Sequence, residues 1–140
     1  GIPECVLKRL QLIQNNAARL VARKKKRDHI TPVMKQLHWL PIRLRIKYKI
    51  CLMTYKALEG TAPKYISSLL TRYEPPRALR SASTCLLRPK PHNLKNTGGR
   101  AFAVVAPQMW NQLPENIRKS GSLEIFKNSL KTHLFKEYYD

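Results

Sequence analysis

The chain has 140 residues, and its 27 Lys and Arg against 8 Asp and Glu give a formal net charge of +19, which attracts polyanions. This length permits one domain with a real core, while three widely separated cysteines without a C-x-x-C pair argue against a disulfide framework or a zinc site. These cysteines fit an intracellular, reducing location best. No apolar run approaches the roughly 18 residues of a membrane span, and the first residues lack a signal-peptide pattern, so we expect no membrane partner.

A first amphipathic helix is predicted from about Glu4 to Ala22, with Pro3 at a suitable position for its start. Its apolar residues recur at spacings of four and three, and we expect this stripe to face the core rather than a coiled-coil partner, since two heptads are few. The stripe consists of Val6, Leu10, Ile13, Ala17 and Leu20. The basic run RKKKR, Arg23 to Arg27, follows at the C-terminal end, where cations complement the helix dipole.

A short second helix is predicted from Val33 to His38, with Thr31 and Pro32 as its cap and first turn. The next stretch is ambiguous, because apolar and basic residues alternate from Ile42 to Ile50 with the period of a half-buried strand. Extended further, the same residues acquire a helical period, so we predict a helix from about Pro41 to Leu58 that is ended by Gly60.

The inward stripe expected for this third helix is Ile42, Ile46, Ile50, Met53 and Ala57, flanked by Leu44, Tyr48 and Leu58. Its cations are expected to fall away from that stripe or beside it: Arg43, Lys47, Lys49 and Lys56, with Arg45 flanking. Almost no acidic residue lies nearby in sequence to pair them. These cations therefore indicate either an ordinary solvated helix face or a surface that binds a polyanion.

A further short helix is expected from Thr61 to Leu70, followed by an irregular segment from Thr71 to Arg100 that is rich in Pro, Ser, Thr, Asn and Gly. Only Thr84 to Leu87 resembles a brief strand there. A loop of this length is usually functional or disordered, and a basic one can become ordered on a phosphate backbone. Its cations are Arg72, Arg77, Arg80, Arg88, Lys90, Lys95 and Arg100.

The last third predicts an apolar helix from Ala101 to Gln112 that Pro107 should break or kink, then a turn of helix from Pro114 to Lys119. Ser122 is expected to cap a final helix with an inward apolar stripe. That stripe is Leu123, Phe126, Leu130 and Leu134. We therefore expect a mainly α fold, a small bundle of about five to seven helices with one long basic irregular segment and at most a short strand or hairpin. Residues 1–70, 71–100 and 101–140 should form one folded unit.

The residues indicate no catalytic constellation. Aspartate occurs only at Asp28 and Asp140, too sparse for a two-metal site, and the glycines form no phosphate-binding motif. The histidines match no zinc spacing, and Cys51 is expected to be a small core residue. We expect no enzymatic activity, no cofactor, no metal and no small-molecule substrate.

The remaining signal is the basic surface, which predicts binding of RNA or DNA. RKKKR is interpretable as a nuclear-import signal, a phosphate clamp or a solvated helix end, and the helix start at HITP favours the clamp because its N–H groups could hold the same phosphate backbone. Tyr48, Tyr55, Tyr65 and Tyr73 either stack on unpaired bases or simply pack. The candidate nucleic-acid-binding residues are Arg23, Lys24, Lys25, Lys26, Arg27, Arg43, Lys47, Arg77, Arg80, Arg88, Lys90, Lys95 and Arg100.

Three segments occur together in order: LKRLQLIQNNAARLV at 7–21, DHITPVMKQLHWLPIRLRIKYKICLMTYKALEGTAPKYISSLL at 28–70, and RAFAVVAPQMWNQLPENIRKS at 100–120 followed by FKNSLKTHLF. The chain thereby resembles the C-terminal tail of the reverse-transcriptase polyprotein of LINE-type, non-LTR retrotransposons, in the jockey and chicken-repeat group. The endonuclease and polymerase of that family are absent from these residues. The resemblance implies thumb-like helices in residues 1–70 and a role in holding template or target, whereas Arg88 and the Gly98–Gly99 pair depart from the family pattern. We also expect a nuclear location, for which RKKKR is a candidate import signal.

Three hypotheses remain open. The preferred one is a non-catalytic nucleic-acid-binding domain that contacts RNA or DNA backbones. The alternatives are a structural or protein-interaction module that packs against the upstream polymerase domain, and a decayed remnant without function.

Overall fold

The chain folds mainly as α-helix, and the computed structural model describes residues 2–75, 85–91 and 98–140. The helices of these residues are α1 (Glu4–Val21), α2 (Ile30–Gln36), α3 (Ile42–Leu58), α4 (Lys64–Ser67), α5 (Phe102–Asn111), α6 (Glu115–Arg118) and α7 (Leu123–Tyr139). A 3₁₀ turn at Gly98–Arg100 precedes α5. The predicted small, mainly helical bundle is confirmed.

The limits of α2 and α4 differ from those predicted. Thr31 lies inside the first turn of α2 rather than at its cap, and His29 takes the cap position without a side-chain hydrogen bond to any described residue. Pro32 also lies within this first turn, where its missing N–H costs nothing. The helix ends at Gln36 instead of His38, and α4 spans one turn instead of reaching from Thr61 to Leu70.

The helices α1, α2 and α3 end in the same way. Arg23, His38 and Gly60 follow α1, α2 and α3 with φ of 50°, 54° and 71°, and in each case the next N–H donates to a carbonyl five residues earlier. These are Schellman-type caps, for which glycine is the favoured residue. Sequence reasoning identified the glycine cap and missed the two formed by Arg23 and His38.

The main core lies between α3 and the C-terminal helices. Tyr55 of α3 stacks on Phe126 of α7 with ring centroids 4.3 Å apart, and its hydroxyl donates to the carbonyl of Ser120 at 2.9 Å. Trp110, Leu130 and the other core members are buried around this pair. The predicted inward residues Phe126, Leu130 and Leu134 are fully buried, with Leu123 packed against them.

Three further expectations for the main core and its helices have clear outcomes. Ser122 caps α7, its hydroxyl accepting a hydrogen bond from the N–H of Ile125 at 3.3 Å, as predicted. Pro107 was expected to break or kink its helix, and the break does not occur, because α5 runs through this buried proline as one helix. Cys51 is a buried core residue, as expected.

The predicted inward stripe of α1 is wrong. Val6, Ile13 and Leu20 are 39%, 64% and 82% exposed, whereas Gln14 and Ala18 are buried. The buried face is displaced from the apolar stripe by about one residue, or roughly 100° of helix rotation. The cause is a polar attachment to the chain before and at the start of α3.

That attachment uses two glutamine side chains of α1. Gln14 Nε2 donates to the carbonyl of Leu40 at 2.9 Å, and Gln11 Oε1 accepts from the N–H of Ile42 at 2.9 Å. The second bond satisfies an N–H in the first turn of α3, which has no partner within its own helix. Because buried backbone groups need partners, these bonds set the rotation of α1 and direct its apolar stripe outward.

The predicted inward stripe of α3 is wrong for its three isoleucines, although Ala57, its last member, is buried as predicted. Ile42, Ile46 and Ile50 are only half-buried. The core face lies on the opposite side of the helix and consists of Leu44, Tyr48, Cys51, Tyr55 and Leu58. This face buries two large aromatic rings, and the tyrosine hydroxyl at its centre finds a carbonyl partner, which makes it the better face to bury.

The basic irregular segment is anchored to the bundle near its start and at its middle. Leu87 forms an isolated antiparallel bridge with Arg72 and is buried in the main core. Asn111 of α5 holds both backbone groups of Leu87, with its Oδ1 accepting at 2.9 Å and its Nδ2 donating at 2.8 Å. Trp110 Nε1 donates to the carbonyl of Cys85 at 2.8 Å. The expected brief strand is therefore a single bridge in the described residues, and Thr84 lies outside them.

Candidate nucleic-acid interface

The basic run between α1 and α2 is a well-defined turn with outward side chains. All five residues, Arg23 to Arg27, are exposed. The turn is closed by the cap at Arg23 and by Asp28, whose Oδ2 accepts from the N–H of Lys25 at 2.8 Å. The backbone of this cationic turn is thus organised by its own local hydrogen bonds.

None of these five cations forms an ion pair with an acid of residues 2–75, 85–91 or 98–140. The nearest acid in sequence, Asp28, uses its carboxylate on a backbone N–H. Adjacent like charges repel one another, so a phosphate placed among them would relieve that repulsion. The first turn of α2 follows directly, and helix N-termini favour anions.

Arg43 and Lys47, by contrast, have acidic partners. Arg43 Nη2 lies 2.7 Å from Glu4 Oε2, and Lys47 Nζ lies 3.0 Å from Glu137 Oε2. The expectation that α3 cations lack acids is wrong for these two, because the acids lie 39 and 90 residues away in sequence. The Lys47 side chain is only 15% exposed, whereas that of Arg43 is well exposed.

The basic turn and Arg43 lie at opposite ends of α1. Arg43 contacts Glu4, the first residue of α1, and the basic turn follows its last residue. A helix of 18 residues is about 27 Å long. The fold therefore does not gather the predicted cations into one pocket, and a nucleic acid that touched both ends would need roughly eight nucleotides at 3.4 Å each.

The described parts of the irregular segment contribute four further cations. Arg88 is exposed, Lys90 and Arg100 are half-buried, and Arg72 donates to the carbonyl of Leu58 at 3.3 Å. The remaining three candidates, Arg77, Arg80 and Lys95, lie outside the described residues.

The four tyrosines divide into two pairs. Tyr55 is buried and Tyr48 packs against the core, and burial raises the pKa of both phenols, so the stacking role proposed for them does not fit their positions. Tyr65 and Tyr73 are exposed and remain candidates for stacking on bases.

The described residues contain no cluster of three His, Cys, Asp or Glu that could hold a metal ion. His38 instead stacks on Phe135 at 5.5 Å, and His133 lies 3.9 Å from Glu137. Burial raises the pKa of the Cys51 thiol to about 12, despite the opposing charge of Lys47, so this cysteine is unsuited to nucleophilic attack. Among the helices of residues 2–75, 85–91 and 98–140, none is both long and apolar enough to cross a membrane.

Sequence reasoning missed a second surface feature. A groove of about 810 Å³ opens where α1, α3 and α7 meet, and the outward isoleucines of α3 line it. The sequence did contain a signal for this groove, because α1 and α3 each carry more apolar residues than a single buried face can hold.

No protein-family model matches the chain, and no curated protein or solved structure matches it.

Proposed function

We propose that this chain is a non-catalytic nucleic-acid-binding domain, derived from the reverse transcriptase of a LINE-type, non-LTR retrotransposon, that holds RNA or DNA by its backbone. The observation that carries the proposal is the turn Arg23–Arg27, where five exposed cations have no acidic partner among the described residues. The motif resemblance supports the same role, and RKKKR, as a candidate import signal, adds a nuclear location.

The division of charge explains why this turn should be the primary contact. Five acids, Glu4, Glu115, Glu124, Glu137 and Asp140, pair with Lys or Arg on other parts of the chain. Cations without such partners can replace the counterions that are condensed on a phosphate backbone. Binding then releases these salt ions and gains entropy. The basic turn combines density, exposure and the absence of competition from described acids.

Arg43 and Lys47 should contribute less, in that order. The pair of Arg43 with Glu4 is exposed, and such pairs are typically worth only about 0–1 kcal/mol, so a phosphate can compete for the guanidinium. Lys47 donates to both oxygens of Glu137 at 3.0 and 3.1 Å and is mostly buried. Its loss should therefore affect the contact between α3 and α7 more than nucleic-acid binding.

The test is equilibrium binding of short RNA, single-stranded DNA and duplex DNA, followed by fluorescence anisotropy across a salt series. If about six phosphates are neutralised, log K should fall against log salt with a slope of about −4 to −5, similarly for unrelated sequences. A flat salt response, or no binding at low salt, would refute the proposal.

The site is tested by two triple variants with the same change in charge. K24Q/K25Q/K26Q should make the salt slope shallower by about two to three, since each lost phosphate contact removes roughly 0.7–0.9. The matched control K35Q/K119Q/K127Q removes three lysines that pair with acids and should change the slope by less than about one. Equal effects would show that binding follows net charge alone and that the basic turn is not the site.

A further inference from the structure

Two apolar stripes of this fold lie outside its core and meet at one groove. We name it the α1/α3 groove, and its apolar lining includes Leu10 of α1, Trp39 of the α2–α3 connection, and Ile42, Ile46 and Ile50 of α3. The groove is open and its volume of about 810 Å³ lies within the roughly 300–1,000 Å³ typical of ligand-binding clefts. An open apolar cleft of this size marks a binding surface more often than an accident of packing.

The exposed stripe of α1 adds to this apolar surface. Leu10 lines the groove and belongs to the same helical stripe as Val6 and Ile13, which are exposed one turn before it and one turn after it. Spacings of three and four place such residues in one row along the helix. The groove therefore has an apolar ridge along its α1 side.

Cations border the groove and acids do not. Arg45 and Lys49 of α3 and Lys131 of α7 line it, and no acidic side chain of the described residues does. None of the three forms an ion pair or a side-chain hydrogen bond within residues 2–75, 85–91 and 98–140. A ligand with apolar groups on one side and carboxylates beside them would satisfy both the floor and the border.

We propose that the α1/α3 groove binds an acidic amphipathic helix of a partner protein. Apolar residues of that helix at positions i, i+3 or i+4, and i+7 would lie against Leu10, Ile46 and Ile50, as in other helix-in-groove complexes. Its flanking Glu and Asp side chains would reach Arg45, Lys49 and Lys131. The lining of the groove runs along α3 from Ile42 to Ile50, a distance of about 12 Å that suits about two turns of a bound helix.

Other occupants fit these observations less well. The floor consists mainly of aliphatic side chains, which can neither stack on bases nor pair with their edges, and this disfavours nucleic acid there although Trp39 and Tyr48 also line the groove. A second copy of the chain would bring two molecules of charge +19 together with their cationic borders in contact, and that repulsion disfavours a dimer. The proposal is independent of the nucleic-acid function, since the basic turn Arg23–Arg27 does not line the groove.

The probe is a fluorescent peptide of about 18 residues with Leu at spacings of three and four and Glu at most other positions, so that it forms one acidic amphipathic helix. The control peptide has the same composition in an order that destroys the apolar stripe while keeping its charge. At about 0.15 M salt, which screens long-range attraction, the amphipathic peptide should bind at least about tenfold more tightly than the control. Equal affinities would overturn the proposal, because they would reflect the charge of the protein alone.

Two double variants locate the site. K49E/K131E reverses two charges of the groove border, and K24E/K25E makes the same change in the basic turn; all four side chains are exposed, so both variants should fold, as checked by circular dichroism. K49E/K131E should weaken binding of the amphipathic peptide at least about tenfold, and K24E/K25E should weaken it less than about threefold. The order should reverse for single-stranded DNA.

Three results would overturn the proposal while leaving the nucleic-acid function intact. The first is an equal loss of peptide affinity in both variants. The second is displacement of the peptide by single-stranded DNA together with loss of DNA binding in K49E/K131E, which would assign the groove to nucleic acid. The third is a dimer in sedimentation equilibrium that K49E/K131E dissociates, which would assign it to a second copy.

Discussion

The two ends of this chain use helices of almost equal length in opposite ways. α7 has 17 residues and fully buries Phe126, Leu130 and Leu134, whereas α1 has 18 residues and buries Gln14 and Ala18. The apolar residues of α7 form the centre of the main core, while those of α1 are directed largely to solvent. The C-terminal helix thus supplies stability, and the N-terminal helix retains apolar surface that a partner can cover.

Charge follows the same division. Glu124, Glu137 and Asp140 of the α7 region pair with lysines on α7 itself, α3 and α2. At the other end, Arg23–Arg27 has no such pairs among the described residues. Surfaces whose charges and apolar groups are already satisfied contribute to folding, and those left unsatisfied are available for recognition.

Truncating one leucine in each helix should give the largest difference between α7 and α1. Leu130→Ala should reduce the free energy of unfolding by about 2–5 kcal/mol, because it leaves a cavity in the main core. Leu20→Ala, at an exposed position of α1, should change it by less than about 0.5 kcal/mol. Urea denaturation followed by circular dichroism measures both. A comparable loss for Leu20→Ala would show that the α1 stripe is buried in solution.

The anchoring of the basic segment should depend on one side chain of the C-terminal region. Asn111→Ala leaves the N–H and carbonyl of buried Leu87 without their partner, which should cost about 1–3 kcal/mol of unfolding free energy. Urea denaturation measures the loss, and the neighbouring exposed Gln112→Ala is the matched control. Equal stability of the two variants would mean that the described pairing contributes nothing.

The pH dependence of stability should also report on the core. Burial raises the pKa of the Cys51 thiol from 9.0 to about 12, so the folded state keeps its proton where the unfolded chain loses it. The stabilisation that comes from this retained proton is fully present below about pH 9 and is lost as pH rises toward 12. At pH 10.5 the loss is about 2 kcal/mol. The decrease in unfolding free energy from pH 8 to pH 10.5 should therefore be larger in the native chain than in Cys51→Ala by about 2 kcal/mol. An identical alkaline loss in both proteins would contradict the burial of this thiol.

The smallest expected effect concerns the cap that opens the basic turn. Arg23 has a φ of 50°, a conformation that costs a residue with a Cβ about 1 kcal/mol or more. Arg23→Gly should therefore raise the unfolding free energy by up to about 1 kcal/mol, while Lys24→Gly should not raise it. Thermal unfolding compares the two. A lower melting temperature for Arg23→Gly than for Lys24→Gly would show that this residue is not left-handed in solution.

Much of the secondary structure followed from local signals. Glu4, Gly60 and Ser122 mark helix limits that a sequence pattern predicts well, because caps depend on near neighbours along the chain. The cap at His38 was missed because a histidine carries no such signal. The predicted start of α2 was too late in the chain because Thr31–Pro32 resembles a helix start more strongly than His29 does. The candidate site was predictable at the basic turn for the same reason, since all of its residues are consecutive.

The sequence by itself determined the long helices α1, α3, α5 and α7, the mainly α fold class, the inward face of α7 and the position of the basic turn, all of which depend on residues close together in the chain. Only the tertiary structure decided which faces of α1 and α3 are buried. Those helices carry more apolar residues than one face requires, so the choice depended on distant partners, the carbonyl of Leu40 for Gln14 and the carbonyl of Ser120 for Tyr55. The tertiary structure likewise decided that Arg43 and Lys47 are paired, because their acids approach from 39 and 90 residues away and no local pattern can show that approach.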